Sequence, residues 1–511
     1  MASPRDAEIL RELQDQIEVS LRSFDHPVVV ENEVELLDLT ATEWRCVIEF
    51  GKLMFHAWNP GRSIARRVEE IAYRDRGRLG LFVRKPGGRE TTTLEFRELD
   101  RTPERTGRLE GRRRFRQALA AMLKQEFRGW QLEHLSARSD REHSFSAWYT
   151  RGLARQGRSG WAFLGLSAEE APAAGDAVLA FGLIWLDWLR SQAERITIPG
   201  LKLFLPRAAV KLTAQRVACL NDRAVQIQVC EWQPGQGHSL PVDVRDVGNV
   251  ETHLAPHGQG EALVERHREL LRGLLGEYFE RVQIVPEASG VALSLRVLGL
   301  EVARVEGQLA PRLYFGLEGS YRQLDRDNQD EFRAFLGRVL DLRRAQGPDP
   351  QHEFYRLQAE RWLESLLVAD ITKLDPALSP DCVYPQVPAF AAGDRGVLDI
   401  LGATRQGRLA VVELKLSEEI SLPMQALDYW LRVRRLNEDR RFSSYGYFPG
   451  LELSQEPPLL YLVAPAFRFH STTGRLLRFF HPSVEVVQIG LSDRWRQGVK
   501  ILFRRDKRGA G

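Results

Sequence analysis

Residues 396–419 read GVLDILGATRQGRLAVVELKLSEE. The stretch LAVVELKL at 409–416 has the composition of a strand, in which successive side chains alternate between faces. Leu409, Val411, Glu413 and Lys415 therefore share one face, and Ala410, Val412, Leu414 and Leu416 share the other. Both faces are largely apolar, which marks a strand central in its sheet. A carboxylate and an ammonium at the end of such a strand are costly to bury unless they meet partners or a metal.

The neighbouring segments fall into a short series of elements. GVLDILGA at 396–403 is joined to the central strand by the turn TRQGR, so the two form a hairpin in which Val397, Asp399 and Leu401 point one way. Downstream, Ser421 and Pro423 open a helix, with Ser as N-cap candidate and Pro in the first turn. Gln425 and Tyr429, four apart, lie on one face of it. LLYLVAP at 459–465 is a further apolar strand. Upstream, HEFYRLQAERWLESLLVADI at 352–371 reads as one helix with Trp362, Leu363, Leu366 and Leu367 on one face. On a 100° wheel Glu360 borders that face and Glu364 lies farther out.

This order of helix with Glu, strand, strand with Asp, strand with E-x-K, helix with Q-x-x-x-Y and strand resembles the PD-(D/E)xK nuclease superfamily. The resemblance covers roughly residues 353–470. Its pieces are Asp399, thirteen intervening residues, Glu413-Leu414-Lys415, and then Gln425 and Tyr429. Leu398 stands where the family often has Pro, a position that carries no ligand. The resemblance implies a restriction-endonuclease-like mixed sheet flanked by helices, within an α/β chain of several α+β domains. It implies that Asp399, Glu413 and Glu360, with the backbone carbonyl of Leu414, hold Mg²⁺ or Mn²⁺. Hard oxygen ligands suit Mg²⁺, which keeps several waters and completes its shell with substrate phosphate. Lys415 is then expected to position the attacking water and stabilise charge on the phosphate, and Gln425 and Tyr429 to orient the DNA backbone or Lys415 itself.

A second stretch is similar to the first. RQGRSGWAFLGLSAEE at 155–170 matches RQGRLAVVELKLSEE at 405–419 with a one-residue insertion, and the helices that follow carry LDWLR and DYWLR. The match sets Leu164 opposite Glu413 and Leu166 opposite Lys415, with Tyr149 near Asp399. Residues 110–207 are accordingly expected to form a degenerate nuclease-like domain, between an N-terminal α+β domain at 1–105 and a middle α+β domain at 208–345. AQGPDPQHE at 345–353 is the best linker candidate, and the nuclease domain runs over 353–511.

The chain as a whole, 511 residues with 43% hydrophobic and 28% charged, has an ordinary globular composition. Its formal charge of +3 leaves attraction to a polyanion to local patches. One is RTGRLEGRRRFR at 105–116, whose Arg112, Arg113 and Arg114 are expected to grip nucleic acid; another is the tail from Arg494 to Arg508. Cys46, Cys219, Cys230 and Cys382 lack any C-x2-C pair and read as core thiols rather than metal ligands. The absence of an apolar leader or a bilayer-length apolar run points to a cytoplasmic protein without a membrane partner. DNA is the expected partner, and a homodimer is also expected where both strands are cut, although no coiled coil or self-complementary patch shows. The alternative reading is a non-catalytic nucleic-acid-binding or assembly protein built from nuclease-like domains.

Overall fold

The strand Leu409–Leu414 lies between Asp394–Thr404, paired antiparallel, and Leu459–Pro465, paired parallel. Its two apolar faces account for this central position. Leu409 and Val411 join a core with Leu427 and Trp430 of the helix Leu422–Glu438, and Ala410, Val412 and Leu414 join one with Trp362 and Leu363 of the helix Ala359–Ala369. In this computed structural model the described residues are 4–506 except 25–26, 32–33, 40–41, 50–51, 60–61, 76, 85–90, 99–102, 141–142, 193–194, 247–251, 259, 288–289, 308–309, 318–320 and 392–393.

The sheet extends past the strand that closes the sequence reading. Glu485–Leu491 pairs parallel with Leu459–Pro465, and Ile501–Asp506 pairs antiparallel at the edge. On the other side come Leu378–Ala391 and the short Thr252–Leu254, giving a seven-stranded mixed sheet. The single helix expected over 352–371 is broken into Glu353–Arg356 and Ala359–Ala369, with Gln358 left-handed at φ 45°. The buried guanidinium of Arg343 accounts for the break. It donates to the carbonyls of Phe354 and Leu357, both at 2.7 Å, and at 3.2 Å to that of Gln358, which also accepts the Trp362 N–H as the first bond of the second helix.

Arg343 also donates to the carbonyls of Val297 and Leu298, so five backbone acceptors converge on one side chain. Burial, with Arg496 nearby, pulls its pKa down to about 9. Val297 and Leu298 belong to a hairpin, Ala292–Val297 with Leu300–Glu306, in a five-stranded antiparallel sheet covered by the helices Glu261–Leu275 and Gln329–Leu342. The hairpin turns at Leu298 (φ 46°) and Gly299 (φ 80°), two left-handed residues as a tight two-residue turn requires. A Cβ at Gly299 would lie 2.3 Å from the carbonyl of Arg361, so the turn abuts the helix that bears Glu360.

Residues Met1–Gly111 with Asp349–Glu353 form one compact unit, and the remainder of the chain forms another. The first holds a seven-stranded antiparallel sheet packed against the helix Pro4–Ser23 through Ile17, Leu21, Val29 and Phe55. Glu43–Glu49 pairs with Lys52–Asn59, and Arg78–Arg84 with Thr91–Glu98, each as an antiparallel hairpin. The PGG turn of the second hairpin lies outside the described residues.

The second unit contains a six-stranded sheet built from 131–241. It does not end at residue 207, because Gln226–Glu231 pairs parallel with Gly200–Leu205 and Leu240–Pro241 follows at the edge. Its strand order and directions match those of the C-terminal sheet from Leu378–Ala391 onward: two antiparallel steps, two parallel steps, then an antiparallel edge. The match extends to register. Leu164 pairs with Leu203 and Glu413 with Leu462, each partner three residues before a proline, Pro206 or Pro465. The chain is thus a multidomain α+β protein with a repeated mixed sheet. All four cysteines are buried and unpaired, and among the described residues no helix is long and apolar enough to cross a membrane.

Candidate functional site

Hairpin pairing of Asp394–Thr404 with Leu409–Leu414 brings Asp399 beside Glu413 at the end of the central strand. The Leu414 N–H donates to Asp399 Oδ2 at 2.8 Å, fixing that carboxylate against the strand. Lys415 Nζ lies 3.9 Å from Glu413 Oε1, 3.9 Å from Glu419 Oε2 and 4.0 Å from Glu360 Oε2. Glu360 is tied down in turn, its Oε1 accepting from the Leu416 N–H at 3.1 Å. Strand alternation alone placed Glu413 and Lys415 on one face; long-range pairing supplies the other carboxylates.

The electrostatics follow from burial and crowding. Glu413 is only 3% exposed, and burial together with Asp399 pushes its carboxyl well above the ordinary range. Burial likewise raises Asp399, against the Leu414 N–H and Lys415. Burial alone would pull Lys415 down, but Glu360, Glu413, Glu419 and Asp399 outweigh it and hold the ammonium above its usual pKa. Glu413 Oε2 is buried with no hydrogen-bond partner. A buried carboxylate oxygen without a donor is costly, and it is one of the few places where such a cost is borne for a catalytic or ligand-holding role.

The wheel ranked Glu360 inward and Glu364 outward, and the structure reverses this. Glu364 is buried, bonded to Arg361 at 3.1 Å and to the Gln386 amide, whereas Glu360 is half-exposed. The reason is that the strand Leu378–Ala391 covers the side of the helix that the wheel assigns to solvent. Burial raises Glu364 to about 8, opposed by Arg361 and reinforced by Asp399. Arg361 therefore stands beside the carboxylates, and Arg296, on the hairpin of the five-stranded sheet, feels the charges of both Arg361 and Glu364. Its Nε donates to Ser294 at 2.8 Å, and its terminal nitrogens make no hydrogen bond among the described residues. Arg361 was visible one position from Glu360; nothing local in the sequence ties Arg296 to the site.

The helix Leu422–Glu438 brings the remaining candidates. Ser421 holds its N-cap position, accepting from the N–H groups of Met424 and Gln425 through its carbonyl, while its hydroxyl donates to Glu419 rather than capping. Gln425 Oε1 is buried without a partner. Tyr429 is half-buried under the guanidinium of Arg432, 5.6 Å from the ring centre. Both press on the strand bearing Asp399, where a Cβ at Gly396 would sit 1.9 Å from Arg432 and 2.9 Å from Tyr429. Trp430 is core, its indole donating to the Pro458 carbonyl. In the basic run, Arg112 is held by Glu170 at 2.6 Å, while Arg113 and Arg114 are exposed. The tail patch is described only to residue 506, with Arg504 bonded to Asp375.

In the repeated sheet the corresponding positions carry other residues. Leu164 stands where Glu413 does, and its hairpin partner is Arg151, so Arg151 takes the place of Asp399; Tyr149 pairs with Leu166. Counting three back from the aspartates of LDWLR and LDYWLR sets Ile184 at the place of Gln425. Leu164, Leu166 and Ile184 are buried, and Arg151 lies over the Phe145 ring at 4.4 Å while donating to the Arg138 carbonyl at 2.7 Å. Apolar contacts thus fill what would be a charged cleft. Leu164→Ala should lower stability by about 2–4 kcal/mol, read by chemical denaturation, while the folded fraction keeps full specific activity. Loss of activity at unchanged stability would identify this region as a working centre.

No family model matches the chain, and no curated protein matches it.

Proposed function

We propose that the chain is a divalent-metal-dependent nuclease that hydrolyses phosphodiester bonds in DNA. The observation that carries this reading is Glu413 Oε2, buried without a donor beside Asp399 and Lys415 at the strand end. Among the described residues no three His, Cys, Asp or Glu side chains form a ligand cluster. Two carboxylates and a carbonyl still fit Mg²⁺ or Mn²⁺, because such ions retain waters and complete their shell with substrate oxygens. Asp399, Glu413 and the Leu414 carbonyl are the residues that would hold the ion. Bound there, it would supply charge neutralisation at the phosphate and a hydroxide near neutral pH.

The chain's own residues have distinct parts in this reading. Lys415, kept charged by four carboxylates, faces developing negative charge on the phosphate and orients the attacking water. Glu360 holds Lys415 at its far side and, through the Leu416 N–H, the strand end itself. Gln425, with its unused amide oxygen, and Tyr429 orient the substrate backbone. Arg296 and Arg361 present guanidinium groups suited to a neighbouring phosphate. Arg296→Met should weaken DNA binding about tenfold, the equivalent of one charge-assisted hydrogen bond, with the saturated rate little changed; unchanged affinity in a titration removes Arg296 from the interface.

The direct test is purified protein with Mg²⁺ or Mn²⁺ and mixed single- and double-stranded DNA. Cleavage that requires the metal and disappears in Asp399→Ala supports the reading. Binding without cleavage favours a non-catalytic nucleic-acid-binding role instead.

A further inference from the structure

The two similar sheets meet through equivalent elements. Arg216, on the helix Arg207–Val217, grips Asp428 with Nε at 2.8 Å and Nη2 at 2.6 Å. Asp187, on the helix Val178–Gln192, receives Arg475 at 2.5 Å and Arg478 at 3.2 Å. Asp187 and Asp428 occupy the same place in LDWLR and LDYWLR, and Arg216 and Arg475 each stand ten residues after the matched prolines, Pro206 and Pro465. Each half therefore gives its aspartate to the other half's arginine.

The backbone repeats the pattern. Leu220 and Phe480 form an antiparallel bridge, flanked by the Asn221 N–H donating to the Phe479 carbonyl at 2.8 Å and the His481 N–H to the Cys219 carbonyl at 2.9 Å. Around it, Leu183, Leu186, Val217, Leu427, Trp430 and Leu476 belong to a single core. Contacts in which residue i of one half meets j of the other, and j meets i, are the signature of a two-fold interface. Here both sides of that interface are in one chain.

We propose that a single chain completes this two-fold arrangement by itself and, resting on the nuclease reading above, cuts one strand of a DNA duplex per encounter. The two-fold face of the C-terminal half is already covered by the repeated half, sealed by a bidentate buried ion pair and a common core, so a second copy cannot occupy it. The centre related to Asp399, Glu413, Lys415 and Gln425 by this pseudo-symmetry holds Arg151, Leu164, Leu166 and Ile184, none able to supply a carboxylate. One live centre faces one strand, and the silent half occupies the position from which the other strand would be cut.

The test uses the full chain and negatively supercoiled plasmid with Mg²⁺, followed on gels, together with sedimentation of the protein with and without the DNA. The expected result is nearly complete conversion to open circles before linear DNA accumulates, a rate first order in enzyme, and the mass of one chain throughout. Linear product arising directly from supercoiled DNA, or a rate second order in enzyme with a two-chain mass, would overturn the proposal. An uncut plasmid, with folded single-chain protein, instead brings down the nuclease reading on which the strand count depends, and metal-dependent cleavage confined to single-stranded DNA removes the nick while sparing that reading.

Discussion

Glu413→Gln should abolish cleavage, lowering the saturated rate by at least about 10³-fold. The substitution keeps the shape of the side chain and removes the oxygen charge that would bind the ion. A loss of several kcal/mol of charge stabilisation at the phosphate corresponds to that factor, at about 1.4 kcal/mol per decade. The fold should not suffer. Burial and Asp399 both oppose ionisation of Glu413, so in metal-free buffer the variant should melt at the wild-type temperature or above. Single-turnover cleavage and a thermal melt on the same preparation decide the matter; wild-type turnover by a well-folded variant would end the assignment.

The largest expected effect on stability is at Arg216. This side chain is 2% exposed, grips Asp428 through two nitrogens in the seam between the two sheets, and donates with a third to the Asp176 carbonyl. Arg216→Met leaves Asp428 buried without its partner, which should cost about 3–5 kcal/mol. Burial already holds Asp428 above its ordinary pKa despite Arg216, so the intact pair is itself an expensive feature. Replacing both residues, as Arg216→Met with Asp428→Leu, should therefore recover most or all of the loss. A denaturant cycle over the four proteins measures the coupling. Additive losses would show that the pair contributes nothing as a unit.

Much of the C-terminal sheet was legible because its signals are local. Alternation in LAVVELKL gave the central strand, the TRQGR turn gave the hairpin, and Pro423 marked the first turn of the following helix. The repeat was also readable, because RQGR recurs at 155–158 and 405–408, at or beside the turn of each hairpin. What escaped depends on distant chain. Arg343 breaks a helix whose own sequence is continuous, Glu364 is buried by a strand that begins fourteen residues later, and Arg296 arrives on a different sheet. Arg151 rather than Tyr149 takes the place of Asp399 because the two hairpins turn at different points of the RQGR text, Gln156 pairing with Ser159 in one and Ala403 with Leu409 in the other. The edge strands Gln226–Glu231 and Leu240–Pro241 were assigned to the wrong domain, since sequence proximity says little about which sheet a strand completes.

Arg343 bears on how this protein could have been assembled over time and how it could be taken apart. The proline-containing segment 345–353 is the joint at which a C-terminal fragment would be cut free. Here the joint is bridged: one guanidinium, planted at the end of the helix Gln329–Leu342, binds carbonyls both before and after it. A fragment starting at residue 353 would lose that guanidinium, releasing the carbonyls of Phe354, Leu357 and Gln358 at the threshold of the helix that presents Glu360. The freed segment could then rewind into the continuous helix its sequence favours, rotating Glu360 away from Lys415. A fragment that keeps this arrangement therefore begins upstream of the five-stranded sheet, and the candidate site is inherited together with that whole block.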